Sequence, residues 1–352
     1  MWRLIYRFFY SIWSSRRLYH QTVSNMASTS SFSQRPTLFI KSIIQNPSHL
    51  FRTVIILCLF LLLILILHRS SCPKQSPTYI CIEDPELLKL SGLEKVEFLP
   101  FNSATPQDCM KKVLLRETLL TSEEQSRADH CVQNYEKDFK AAHELFWYGD
   151  NQYVRHHHHK YLTNQSLVLD VGGNVGEDAA YLIKHYNPKN YVVLEPLKLL
   201  YRNLVVKFKN RPNVLTYNIG LSKKNEVFML SIEGHDGDAT SPFLAKTTDG
   251  TCSLKVVNTT VFLTKLGVGC FDVDLMTINC EGCEYDVLES IISNSLVNNF
   301  KHIQFATHTK LAYLVDPVNR YCRIQELLQR THRLSYSYKF NWETWTRRDI
   351  TI

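Results

Sequence analysis

The stretch around residues 166–176 constrains the fold most. An apolar strand, Leu167-Val-Leu-Asp-Val171, runs straight into Asp170-Val-Gly-Gly-Asn-Val-Gly176, and a helical pattern begins at Glu177. A strand that feeds a helix through a glycine turn opens a parallel α/β unit. Glycine lets the backbone turn tightly and approach a ligand closely. The free N–H groups at the start of the following helix attract a carboxylate. A dinucleotide fingerprint, G-x-G-x-x-G, is excluded because Val171 stands at its first glycine position.

The spacing present is D-x-G-x-x-x-G, which suits the amino-acid end of S-adenosyl-L-methionine. That ligand offers a carboxylate to the turn and an ammonium for an acid such as Asp170 to neutralise. A second strand, Tyr191-Val-Val-Leu-Glu195, ends in an acid 25 residues after Asp170. A carboxylate there can accept hydrogen bonds from both hydroxyls of an adenosyl ribose. Asp170, Gly172, Gly173, Asn174, Gly176 and Glu195 are therefore the expected cofactor-binding residues.

From Ser166 onward strands and helices alternate. Helices are expected at 177–185, 197–209, 284–293 and 321–330, with strands at 213–217, 272–278 and 301–306. A hairpin is expected around Lys223-Lys-Asn225, with Glu226–Ser231 as its outgoing strand, and one or two closing strands near Ser335–Phe340. N-terminal to this domain, Lys111–Leu120 and the Ser122-Glu-Glu124 start signal predict a helical extension over 109–165. His156-His-His-His159 reads as a solvated loop, because no Cys or carboxylate is spaced to complete a metal site. No metal is expected.

Three segments together resemble the FkbM-type methyltransferases: Asp170–Gly176, the corner Val193-Leu-Glu-Pro196, and Asp274-Leu-Met-Thr-Ile-Asn-Cys-Glu-Gly-Cys-Glu-Tyr-Asp-Val-Leu288. Asn218-Ile-Gly-Leu-Ser222 is similar to the family's segment after its third strand. The resemblance covers about residues 165–310. It implies a class I, Rossmann-like methyltransferase fold with a mainly parallel sheet and helices on both faces. It further implies S-adenosyl-L-methionine as donor and, often, O-methylation of sugar hydroxyls. Asn279 departs from the family, which usually has Asp there, while Glu281, Gly282 and Glu284 are kept. Asparagine hydrogen-bonds but takes no proton. Glu281 is thus the first candidate for positioning or deprotonating an acceptor, with Asn279 beside it. The competing reading has Glu281 only capping the helix from Glu284. His308 lies beyond the fifth strand, at the edge where α/β sites form; a structural role is the favoured reading there.

The N-terminal part reads differently. Residues 1–52 hold seven basic residues, Arg3, Arg7, Arg16, Arg17, Arg35, Lys41 and Arg52, and no acid, which equals the whole net charge of +7. The remainder is near neutral, so charge gives no support to a nucleic-acid partner. Residues 53–67 are uncharged and free of Pro and Gly, and read as a transmembrane signal anchor extended by Leu50, Phe51 and a snorkelling Arg52. The basic flank keeps 1–52 cytosolic and sends the catalytic part to the lumen of the Golgi or endoplasmic reticulum. The Arg- and Ser-rich, acid-free residues 1–35 leave a mitochondrial address as the alternative, and Met26 is a second candidate start. Residues 68–108 read as a stem, 109–165 as the helical extension and 166–352 as the methyltransferase domain. Asn164-Gln-Ser and Asn258-Thr-Thr are glycosylation sequons.

Two other functions compete. A donor-binding relative without catalysis is motivated by Asn279. An anchored glycosyltransferase is motivated by two D-x-D spacings, Asp272-Val-Asp274 and Asp236-Gly-Asp238. Cys280-Glu-Gly-Cys283 reads as incidental thiols or a disulfide, since a zinc site needs a second ligand pair.

Overall fold

The computed structural model describes residues 93–97, 99, 108–109, 113–231, 240–243 and 252–351. Contacts divide the chain into Met1–Thr78 and Tyr79–Ile352, and every described residue lies in the second unit. Among the described residues no helix is long and apolar enough to cross a membrane. The expected span at 53–67 lies outside them.

Helices α1 (Ser122–Gln133) and α2 (Tyr135–Leu145), a π-helical turn (Phe146–Asp150) and α3 (Asn151–His156) precede the sheet. Then come β1 (Leu167–Val171), α4 (Glu177–Tyr186), β2 (Asn190–Leu194), α5 (Lys198–Phe208), β3 (Val214–Tyr217), β4 (Gly220–Ser222) and β5 (Glu226–Leu230). The chain continues with β6 (Cys252–Asn258), α6 (Thr259–Leu266), β7 (Val273–Ile278), α7 (Glu284–Ser293) and β8 (Phe300–Ala306), and closes with α8 (Pro317–Gln329), β9 (His332–Tyr338) and β10 (Trp342–Arg347).

The main sheet has the order β3-β2-β1-β7-β8-β10-β9. Its first five strands are parallel, and β10 runs antiparallel to both neighbours. Period-2 alternation along β1 explains why both faces are covered. Leu167, Leu169 and Val171 join a core completed by Phe262 and Leu263 of α6, Val287 and Ile291 of α7 and Ile324 and Leu328 of α8. Val168 faces the other way, into a core with Ala179 and Leu182 of α4 and Leu204 and Phe208 of α5. The expected mainly parallel sheet with helices on both faces is present.

Four expectations differ from the structure. Val113–Thr121 has no regular structure instead of continuing a helix from Lys111. Its backbone is held from outside: the Arg330 guanidinium donates to the carbonyls of Glu117 (2.8 Å) and Leu119 (2.7 Å), and Arg116 N donates to Ser293 O. These partners replace the local i to i−4 bonds that helical propensity alone would favour. Helix α1 starts with a reciprocal capping box between Thr121 and Glu124, at the predicted signal.

The hairpin at Lys223–Asn225 does not form either. β4 and β5 each pair with β6, which lies between them in a separate sheet ordered β4-β6-β5. Residues 93–97 and 99, expected as part of a stem, pack on the domain. Leu93 and Leu99 are buried in the domain core, Leu99 N donates to Leu266 O and Glu97 N to the Tyr217 hydroxyl. The histidine run is not a solvated loop: His156 and His159, three residues apart on one face, are buried, and only His157 and His158 are exposed. Burial lowers His159 to a pKa of about 4, so it stays neutral while meeting the Tyr161 hydroxyl and Arg155 O.

Two disulfides tie the extension to the domain, Cys109–Cys270 and Cys131–Cys322, across 161 and 191 residues. Long closed loops restrain the unfolded chain strongly. Replacing Cys131 and Cys322 together by serine is expected to lower stability by about 2–4 kcal/mol in urea denaturation. A change below about 0.5 kcal/mol would show that α1 and α8 are held by packing alone.

Candidate active site

The strand order reverses beside β1: β2 and β3 lie on one side, β7 and β8 on the other. In open α/β sheets ligands bind outside the carboxyl ends of the strands at such a switch point. The exits of β1 and β7 meet there, and they carry the glycine turn and the Asn279–Glu284 segment.

The glycine requirement at residue 172 is steric. Gly172 has φ +94°, and a Cβ would sit 2.0 Å from Asn279 O. The two strand exits can touch only because that atom is missing. Gly176, φ +74°, begins α4 against Leu204 of α5, where a Cβ would lie 2.6 Å from Cδ2. The Gly172 and Gly173 amides both donate to Leu194 O, at 3.0 and 2.9 Å, which folds the turn over the end of β2.

Glu195 holds this corner together. One carboxylate oxygen accepts the Asn174 amide and the other the Leu197 amide, each at 2.8 Å. Asn218 Nδ2 donates to the carbonyls of Glu195 and Pro196. Each Glu195 oxygen keeps a second lone pair. Burial pushes the carboxyl up to about 7, against the two amides that lower it. Asp170 points to the α4 and α5 face, where it accepts the Tyr191 hydroxyl at 2.9 Å. Burial, and then the charge of Asp178, raises it to about 7. The protein thus supplies a partner for an acid that the sequence assigned to cofactor binding.

A cavity of about 60 Å³ opens at the switch point, lined by Gly172, Pro196, Gly220, Phe243, Cys280 and Cys283 among others. Small-molecule sites usually measure roughly 300–1,000 Å³, so this one must widen to take a donor-sized ligand.

On the β7 side Glu281, Glu284 and His308 form one cluster. Glu284 is 1% exposed; one oxygen accepts the His308 amide (2.9 Å) and ring Nδ1 (3.0 Å), the other the Gly282 amide (2.9 Å). His308 Nε2 lies 3.2 Å from Glu281 Oε1. Burial alone would depress the imidazole, but the Glu284 charge and hydrogen bonds to Glu281 and Glu284 raise it to about 10. His308 is therefore an imidazolium at neutral pH, bridging two carboxylates. Glu281 does not cap α7: Glu284 binds the Gly282 amide instead, and Glu281 faces His308. Asn279 donates its backbone amide to Val171 O, and its side-chain amide has no hydrogen-bond partner among the described residues.

The structure sets Gly172 against the Asn279 carbonyl where β1 and β7 end, with Glu195 at the end of β2; of the expected site residues Gly172 lines the cavity, and Asn279, Glu281 and Glu195 do not. Sequence reasoning undervalued Glu284 and His308; the available signal was a histidine just past the carboxyl end of β8. It also missed Arg155, which with His156 binds Asp178 in the first turn of α4.

The D-x-D spacing at Asp272–Asp274 falls at the wrong end of the sheet. Asp272 pairs with Arg347, and Asp274 with Lys301 and the Leu167 amide, at the amino end of β7. Asp236–Asp238 lies outside the described residues.

No protein-family model matches this sequence, and no curated protein matches it. Solved structures similar to it include the methyltransferase FkbM from Methylobacillus flagellatus, at 12% identity and a TM-score of 0.36, over 55% of this chain and 47% of that one. Aeropyrum pernix fibrillarin with bound S-adenosyl-L-methionine is similar at 11% identity and a TM-score of 0.29, over 53% and 67%. M. capricolum TrmK with S-adenosyl-homocysteine gives 9% and 0.27, over 54% and 65%. This chain spans about half the length of the FkbM structure it is similar to. Likeness at this level carries no functional argument, and the reading that follows rests on the geometry of the crevice.

Proposed function

We propose that this protein is an S-adenosyl-L-methionine-dependent methyltransferase that acts on a hydroxyl group, with a glycan as the favoured acceptor. One observation carries the reading: at the switch point a buried Glu195 clamps the glycine turn to the end of β2 while keeping lone pairs for two ribose hydroxyls. The start of α4 offers N–H groups for the donor carboxylate, the turn amides from Gly172 to Gly176 being bonded within the protein. Bound donor would supply an electrophilic methyl group, and the protein's part is alignment of the acceptor oxygen. In this reading Glu281, held by His308 beyond the exit of β7, orients that hydroxyl and receives its proton. The two long-range disulfides support an oxidising compartment, in keeping with a luminal domain behind a membrane anchor.

Calorimetric titration of the full chain with S-adenosylhomocysteine tests the donor. In Glu195→Ala the affinity is expected to fall by roughly one to two decades, since a hydrogen bond to a charged group contributes about 1.5–3 kcal/mol. Equal affinity in a folded variant would place the ribose elsewhere. The pH dependence has a definite sign. Ionised Glu195 is the better acceptor of ribose hydroxyls, so wild-type affinity should rise as pH increases through about 7. Without ligand the same raised pKa works the other way: between the unfolded value and about 7 the fold holds the proton more tightly, and stability falls as pH rises.

A donor-binding protein without catalysis is the second reading. Asn279, an amide where a base would serve, is the observation in its favour.

A further inference from the structure

Cys280 and Cys283 both line the switch-point cavity and are joined by a disulfide across only two intervening residues. The other two described bridges differ in kind: each closes a long loop, and one cysteine of each, Cys109 and Cys322, is fully buried while its partner is partly exposed. Cys280 and Cys283 are each partly exposed. A bridge across so short a loop restrains the unfolded chain little, so stability does not account for it.

Its effect on the site does. Inside the ring Glu281 has φ +52° and Gly282 φ +107°. A left-handed backbone is rare for a non-glycine residue and persists only when its surroundings impose it. Here it leaves the Glu281 carboxylate on His308 and its carbonyl accepting the Ser241 hydroxyl at 2.6 Å.

We propose that Cys280–Cys283 is a redox-active disulfide that exchanges with thiols and, when closed, fixes Glu281 and one wall of the cavity. The two sulfurs are not equivalent. Cys283 is the N-cap of α7, a helix of 10 residues, where the helix dipole favours a thiolate. Cys280 Sγ lies 3.7 Å from Glu284 Oε2, whose negative charge disfavours one. Exchange therefore begins with an external thiolate attacking Cys280 Sγ. The S–S bond breaks, and its electron pair leaves on Cys283, the better leaving group. A second thiol of the reductant then displaces Cys280 from the mixed disulfide. Two electrons and two protons have passed to the protein, and two external thiols have become a disulfide. Control of the site, unlike the exchange itself, rests on the methyl-donor reading.

The test uses the full chain in glutathione buffers of graded ratio, followed by thiol alkylation and peptide mass spectrometry. Cys280 and Cys283 are expected to open in buffers at least about tenfold less reducing than those that open the other two bridges. Trapped mixed disulfide is expected on Cys280. Opening of all three described bridges together, or glutathione trapped only on Cys283, overturns the exchange step. Calorimetric titration with S-adenosylhomocysteine then compares the oxidised chain, the reduced chain and Cys280→Ser/Cys283→Ser. The last two are expected to bind about three- to tenfold more weakly. Equal affinity in all three overturns control of the site. Absence of binding to the oxidised chain removes the donor reading, and the alkylation result still decides the exchange.

Discussion

Replacing Glu284 by alanine is expected to destabilise the protein by about 3–5 kcal/mol, the usual loss when one partner of a buried ion pair is removed. The side chain is almost wholly enclosed and satisfies three N–H groups, those of Gly282, His308 and the His308 ring. Alanine would leave these donors without acceptors in a space closed to water, and an imidazolium with Glu281 as its one remaining counter-charge. Glu284→Gln should be milder, because its amide oxygen still accepts. The pH dependence gives a second readout. His308 titrates near 10 in the fold and near 6.5 when unfolded, so the stability it adds is complete below about 6.5 and is lost as pH rises through about 10. Urea denaturation of the wild type across that window should show a falling slope, which His308→Gln removes. A Glu284→Ala protein as stable as the wild type, with its slope intact, would show that the cluster is solvated and of little consequence.

Glu281→Gln is expected to reduce methyl transfer by roughly 10²–10⁴, the usual range for losing a general base, with donor affinity nearly constant. The substitution keeps the size and a hydrogen-bond acceptor but cannot receive a proton, so the loss should fall on turnover rather than KM. His308 fixes the direction of the carboxylate from 3.2 Å. Asn279→Asp is expected to be tolerated, since the side chain makes no hydrogen bond among the described residues that a carboxylate would break. The measurement is transfer from labelled donor to a panel of glycans by wild type and both variants. If Asn279→Asp alone transferred methyl groups, the natural protein would be a donor-binding relative that has lost catalysis.

What the sequence determined by itself is the local chemistry of the α/β half. The apolar run of β1, the glycines after it and the acid ending β2 are each dictated by neighbours a few residues away. The strands and helices expected between Leu167 and Gln329 consequently fall close to where periodicity places them, while β6 and α6 were not among them. The start of α1 near Ser122 was legible for the same reason, one residue from its N-cap at Thr121. Tertiary structure decided whatever depends on partners distant in the chain. Val113–Thr121 stays out of a helix with Arg330, over 200 residues away, on the carbonyls of Glu117 and Leu119. β4 and β5 are parted by β6, whose alternation over Cys252–Val256 speaks for a strand but not for its partners. His156 and His159 are drawn inside by packing against α4 and Tyr161. Most telling is the cluster at the site: Glu281 and Glu284 are near in sequence, but His308 reaches them only because β8 lies beside β7, so that the two strand exits share one edge of the sheet.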